Sequence, residues 1–211
     1  MTKCGVILAG GNSTRWGGYP KELLPIANGT TLLQYAVDIL YGMNVNEIAV
    51  VTSAEKRPLH NYLLGDSVRY FDRKDSNIFR VIAESFVCNA DMYYFVMPDT
   101  LVPPDAFQNL QNGHFNIGYF ETDKPERFGV ITEHGIVDKT PFPPGSYKAW
   151  GILSWDREVV DFWKKNFNKI NSHTCAFNMA INEFNFTMSR MEYYFDMASF
   201  EDYARYLCNP M

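Results

Sequence analysis

The sequence predicts an α/β domain built on a mostly parallel central sheet that becomes mixed at one end. Short apolar strands alternate with helical patterns through the first half of the chain, the order that builds parallel sheets. A glycine pair follows the first strand directly. The second half changes to short strands joined by tight turns, which is the source of the mixed end.

Val6-Ile7-Leu8-Ala9 reads as the first, buried strand. Leu32, Leu33, Ala36, Val37 and Leu40 then recur at helical spacing behind Thr30 or Thr31 as a cap. Glu47–Thr52 is a second strand, Pro58 opens a helix to Leu64, and Val68–Phe71 is a weaker third strand. Ile78, Val81, Ile82, Ser85 and Phe86 form another helical face before the buried strand Tyr93–Met97. Beyond it, Asn116–Glu121, Phe128–Thr132, Gly135–Asp138 and Ala149–Trp155 read as short strands. Two helices follow, Asp156 to about Phe167 and about Cys175 to Phe184. A last strand near Met191–Phe195 leads into a helix capped by Ser199, with Asp202 completing a weak capping box.

At 211 residues, 46% hydrophobic and 20% charged, the chain is expected to form one globular domain spanning residues 1–211. A formal charge of −5 argues against a general nucleic-acid or membrane surface, so any phosphate site is local and its partners are small anions. Cys4, Cys88, Cys175 and Cys208 show no C-x-x-C spacing, and the four histidines form no ligand pair. Free thiols, no apolar run of membrane-spanning length and no signal-like segment predict a cytoplasmic protein. A homo-oligomer is left open by the sequence.

The richest stretch runs from Gly5 to Pro25. A strand gives way to Gly10-Gly11, where backbone can approach a ligand with no Cβ in the way, and Arg15 and Lys21 add fixed positive charge. Successive N–H groups with cations beside them form a polyanion cradle. It is not a Walker loop, because no Lys-Ser/Thr follows Gly17. Nor does Gly10-Gly11 with Gly17-Gly18 make the dinucleotide triplet.

Gly10-Gly11-x-x-Thr14-Arg15 followed by Pro20-Lys21-x-Leu23-x-Pro25 resembles the sugar-phosphate nucleotidylyltransferases, the family that includes glucose-1-phosphate thymidylyltransferase and uridylyltransferase. The resemblance implies a three-layer Rossmann-like nucleotide-diphospho-sugar transferase fold. It also implies a nucleoside triphosphate and a sugar-1-phosphate as substrates, glucose-1-phosphate with dTTP or UTP foremost, and Mg²⁺ as cofactor. Leu8, Ala9, Gly10, Gly11, Asn12, Ser13 and Thr14 would bind nucleotide, with Arg15 and Lys21 catalytic.

Asp99 follows a buried strand and so sits at the ligand edge of the sheet. The resemblance makes it a metal ligand. Asp196, in Phe195-Asp-Met-Ala-Ser-Phe-Glu-Asp-Tyr203, is similar to the family's second metal motif, with Ala198-Ser199 in place of Gly-Thr. Gly129, Asp138, Lys139 and Trp150 map to the sugar-phosphate pocket. There Asp replaces a longer acid, Phe128 replaces a Tyr, and Trp150 stands where the family has Thr. The segment from Asp72 to Arg80 lacks the Gln and Gly that read the base, so dTTP, UTP and CTP stay open, ahead of GTP and ATP.

The expected reaction is in-line attack of the sugar phosphate on the α-phosphorus, releasing pyrophosphate. Two rivals remain: a cytidylyltransferase acting on a non-sugar phosphate, and a nucleotide-binding regulatory relative without turnover. Larger relatives extend further, and the sequence reads as a minimal catalytic domain.

Overall fold

The structure, a computed structural model, describes residues 1–208. Four parallel strands form its first half: β1 (Lys3–Leu8), β2 (Glu47–Thr52), β3 (Arg69–Asp72) and β4 (Met92–Val96). They are linked by α1 (Leu32–Gly42), α2 (Arg57–Leu64) and α3 (Ile78–Ala83). Thr31 caps α1 in a full capping box with Gln34, which satisfies the first orphan N–H groups and fixes where the chain re-enters the fold.

The second half adds the dipeptide strand β5 (Thr100–Leu101), then β6 (Phe115–Thr122), β7 (Gly129–Thr132), β8 (Gly135–Asp138) and β9 (Tyr147–Asp156). It ends with α4 (Arg157–Lys165), α5 (His173–Glu183), β10 (Phe186–Arg190), β11 (Phe195–Asp196) and α6 (Phe200–Cys208). The sheet order is β10-β6-β9-β4-β1-β2-β3, with β7 and β8 branching from β9. Only β9 among these seven runs against its neighbours, pairing antiparallel with both β4 and β6. The reversed β9, with β8 running the same way beside β7, makes the sheet mixed, as the sequence predicts.

Alternating residues of β1 and β4 feed two cores, giving three layers. Ile7, Ala9, Met92, Tyr94 and Val96 pack against α1. Cys4, Val6, Tyr93 and Phe95 pack against α3, α4 and α5, where an aromatic cluster gathers around the fully buried Trp163. Gly5 is needed because a Cβ there would come within 2.7 Å of Leu40 on α1.

Two local expectations are corrected. The last strand of the main sheet is Phe186–Arg190, and of the expected strand near Met191–Phe195 only Phe195 lies in a strand, the short β11. Met191 is buried and Tyr194 stacks on Phe120 with ring centres 4.1 Å apart, so these apolar residues plug the core instead of pairing as a strand. The true strand is a sheet edge with exposed Phe186 and Met188, and its half-wet face hides the pattern. At α6, the Asp202 N–H donates to Ser199 Oγ at 3.2 Å, but the Asp202 carboxylate accepts from the Ser199 hydroxyl and from Arg127 instead of closing a capping box. Among the described residues no helix is long and apolar enough to cross a membrane, and the four cysteines are free.

Trp163→Ala is expected to cost about 3–5 kcal/mol, the usual penalty for emptying a buried aromatic site. Urea unfolding would read it as a lower midpoint; a loss under about 1 kcal/mol would mean that this cluster does not anchor the second layer.

Candidate active site

The candidate site lies at the carboxyl ends of β1 and β4. Beyond Leu8 the chain keeps one more sheet contact, from Ala9 N–H to Val51 carbonyl at 2.8 Å, and then turns. Gly10 is packed tightly, since a Cβ there would lie 3.0 Å from Arg73 and 3.2 Å from the Thr52 backbone; Gly11 faces open space. Asn12 continues the exposed rim. Ser13 is left-handed at φ 49°, and its carbonyl accepts from Trp16 and Gly18 N–H, closing a one-turn 3-10 helix over Thr14–Trp16. Gly17, at φ 60°, ends that turn. Arg15 projects from it into solvent, with no side-chain hydrogen bond or ion pair among the described residues.

Lys21 starts a second 3-10 turn and pairs directly with the buried carboxylate of Asp99. Asp99 and Asp196 are brought together by the small sheet of β5 and β11, in which Asp196 stands opposite Thr100 and Met197 N–H donates to the Asp99 carbonyl at 3.0 Å. Burial pushes the Asp196 carboxyl up from its ordinary value, and the charge of Asp99 pushes it further. Arg127 and Lys21 act in the opposite sense. One Asp99 oxygen, Oδ1, is buried with no hydrogen-bond partner. Two facing carboxylates, one with an unsatisfied oxygen, are the donor set that a hard divalent cation takes.

Arg127 was not anticipated. Its guanidinium meets Asp202 through two nitrogens, at 2.8 and 3.1 Å, and Asp196 at 3.1 Å. Arg73 was not anticipated either, although it lies in the segment that departs from the family pattern. It donates to the Gly10 carbonyl at 2.6 Å and to the Asp75 carbonyl at 2.8 Å, so this segment folds back to brace the glycine loop. Beside it an apolar recess of about 190 Å³ opens between Leu8, Gly11, Ile78 and Met97, with Arg73 and Ser76 also lining it.

The residues mapped to a sugar-phosphate pocket form a second group. Asp138 ends β8 opposite Gly129, at the open end of the β7–β8 hairpin, and the following Lys139 is exposed, left-handed at φ 46°, its N–H bonded to the Phe128 carbonyl. Trp150 fills the space over Gly129, where a Cβ would sit 2.1 Å from its indole nitrogen, and its ring packs against Phe95 and Phe177. His173 is new here: its ring packs edge-on to Trp150 and lies 3.8 Å from Asp138. Burial lowers the His173 pKa, against the pull of Asp138. On the other side of Phe128, whose ring lies near the Arg127 guanidinium, a basin of about 450 Å³ takes Lys124, Arg127, Asp196 and Arg205 into its wall.

The fold is a layered α/β domain with a mixed central sheet, and its glycine loop and carboxylate pair lie together at one edge of that sheet. The chain belongs to the family of MobA-like NTP transferase domains, which its residues 5–113 match. It is 26% identical over 184 residues to the low-salt glycan biosynthesis nucleotidyltransferase Agl11 of Haloferax volcanii, a match that covers 74% of this chain and only 50% of that protein. It is 27% identical over 159 residues to the adenosylcobinamide-phosphate guanylyltransferase of Methanocaldococcus jannaschii, covering 74% of this chain and 79% of the relative. Its fold matches a Bacillus anthracis structure assigned as a glucose-1-phosphate thymidylyltransferase, with a TM-score of 0.79, 24% identity and coverage of 100% and 96%.

Below the loop, Glu22 is buried between His60 and Lys56. Burial pushes its carboxyl up, but the hydrogen bonds from those two side chains outweigh it and hold the pKa below the ordinary 4.5. A depressed acid stabilises the fold fully above its unfolded value and loses that contribution as pH falls through the folded one. Urea titrations from neutral pH to below 4.5 should therefore show wild type losing more stability than Glu22→Gln; parallel curves would contradict the assignment.

Proposed function

We propose that this protein is a nucleotidylyltransferase that transfers a nucleoside monophosphate from a triphosphate to a sugar-1-phosphate or a closely related phosphate monoester, releasing pyrophosphate. The observation that carries the reading is the meeting of Lys21, Asp99 and Asp196 beside an open glycine loop that bears Arg15. Its family membership agrees with this chemistry.

A phosphate monoester has a second pKa of about 6, so near neutral pH the attacking oxygen is already anionic and no general base is needed. The reaction then rests on alignment and charge. An acceptor oxygen forms a bond to the α-phosphorus while the bond from that phosphorus to the β-phosphate bridge oxygen breaks, and pyrophosphate leaves with the electron pair. Backbone N–H groups of residues 10–14 cradle the phosphates, and Leu8 and Ala9 carry the chain to that turn. Arg15, exposed at the turn, holds the departing pyrophosphate. Lys21 bridges the reacting phosphates from its station on Asp99. Asp99 and Asp196 would hold Mg²⁺, which when bound supplies polarisation of the α-phosphate. The recess beside Gly11 seats the base, and the name of the guanylyltransferase relative brings GTP into the range of donors to be tested.

Gly129, Asp138, Lys139 and Trp150 would bind the acceptor, with glucose-1-phosphate first to be tried alongside dTTP or UTP. His173 beside Asp138 makes this acceptor side distinctive. The basin at Asp196 supports a second reading, a bulkier non-sugar phosphate such as a cytidylyltransferase would use, since Arg127 and Arg205 stand in its wall. We assign the reaction to the cytoplasm, a reducing compartment that suits the free cysteines.

Pyrophosphate release should appear for at least one pair drawn from five triphosphates and a panel of sugar-1-phosphates, phosphocholine and other monoesters with Mg²⁺. Silence across that panel would sink the reading. Arg15→Ala should lower kcat by about 10²–10³-fold, the loss of one transition-state donor at about 2.7–4 kcal/mol; near-normal turnover would remove Arg15 from the mechanism. In a separate measurement, Mg²⁺ or Mn²⁺ should raise the Tm of wild type but not of Asp196→Ala. An equal rise in both would place the cation elsewhere.

A further inference from the structure

Three ionisable side chains under the loop take no part in the chemistry above, yet all are withdrawn from water: Glu22 is 2% exposed, Lys56 8% and His60 0%. They form one connected set. Lys56 Nζ donates to Glu22 Oε1 at 2.8 Å and to Ser13 Oγ at 3.2 Å. His60 Nε2 lies 3.0 Å from the same Glu22 oxygen, and its Nδ1 lies 2.8 Å from Thr52 Oγ1 at the end of β2. A carboxylate only accepts, so Nε2 carries a hydrogen.

The set touches the candidate site at two points. Ser13 is a non-glycine residue in the left-handed region, a conformation that persists only where its surroundings impose it. Among the described residues, Lys56 is the one side chain that bonds it from below. Glu22 adjoins Lys21 in a turn with about three residues per revolution, so consecutive side chains diverge by about a third of a circle. Anchoring Glu22 inward turns Lys21 outward, onto Asp99.

A buried ion pair is a poor way to gain stability, because apolar residues of the same volume serve as well or better; what it gives is direction. We propose that Glu22, Lys56 and His60 are positioning residues: Lys56 sets the phosphate loop through Ser13, and Glu22 sets the aim of Lys21. The consequence for turnover rests on the nucleotidyl-transfer reading; the consequence for loop order does not.

Hydrogen exchange tests the second point without any ligand. Ser13→Ala removes only the upper contact, and Glu22→Gln keeps shape while removing charge. In both, backbone amides within residues 10–24 should exchange about tenfold faster or more, while those of β1 and β2 keep their protection. Lys56→Met should match Ser13→Ala, and Lys56→Arg should restore the loop. With the triphosphate and acceptor that wild type uses in the pyrophosphate panel, Ser13→Ala should raise the triphosphate KM about tenfold with little change in kcat, and Glu22→Gln should lower kcat more than it changes KM. Unchanged loop exchange in folded Ser13→Ala and Glu22→Gln overturns the proposal, as does equal loosening of β1 and β2. If wild type turns over nothing, the enzymatic reading falls while exchange still decides this one.

Discussion

Asp99 and Asp196 are two negative groups in one buried corner, and the arrangement around them follows from the need to offset that charge. Burial raises the pKa of Asp196, and the like charge of Asp99 beside it raises it further. The protein answers with a cation on each: Lys21 on Asp99, and Arg127 on Asp196. These two come from opposite sides of the fold. Lys21 arrives from the loop after β1, and Arg127 from the turn before β7. The corner is therefore where the parallel half and the mixed half of the sheet are joined electrostatically as well as by packing.

That joint is reinforced by α6. Trp16, three per cent exposed, donates its indole N–H to the Met197 carbonyl at 3.2 Å, one residue past Asp196. Phe200 lies against the same ring at 4.1 Å, and the Tyr203 hydroxyl bonds the Pro25 carbonyl at 2.6 Å. The glycine loop is thus fixed from beneath by Lys56 and from the side by the last helix, while Gly11 and Arg15 stay open to solvent. A phosphate cradle works without reorganisation only if its donors are held beforehand. In the proposed reaction, fixed flanks with an open tip would meet that requirement.

Legibility in the sequence followed contact distance along the chain. β1, β2, β4 and the capped α1 could be read because their signals are local: apolar runs, a cap, a glycine turn. Arg15, Lys21, Asp99 and Asp196 were legible as candidates through the family resemblance that the short motifs around them carry. Arg127, Arg73 and the Glu22 set were not. Their meaning lies in partners 69, 63 and 38 residues away, and each looks like an ordinary surface charge until the chain is folded. The edge strand β10 was missed for the opposite reason, since its local pattern is half exposed while Met191 to Tyr194 carries the apolar content of a strand.

The region proposed to hold the acceptor is walled by elements other than those that carry the glycine loop. Gly129 is dictated by Trp150, and Trp150 in turn packs on Phe177 and His173 from α5, so the wall of this region is set by a helix outside the motif-bearing segments. Asp138 and His173 then face each other across its rim. A change in α5 would act first on Trp150 and His173, which it contacts directly, whereas the Lys21–Asp99 pair and the Lys56–Ser13 contact are made by other elements. In the proposed reaction, the phosphate chemistry and the choice of acceptor are therefore carried by separate parts of the fold.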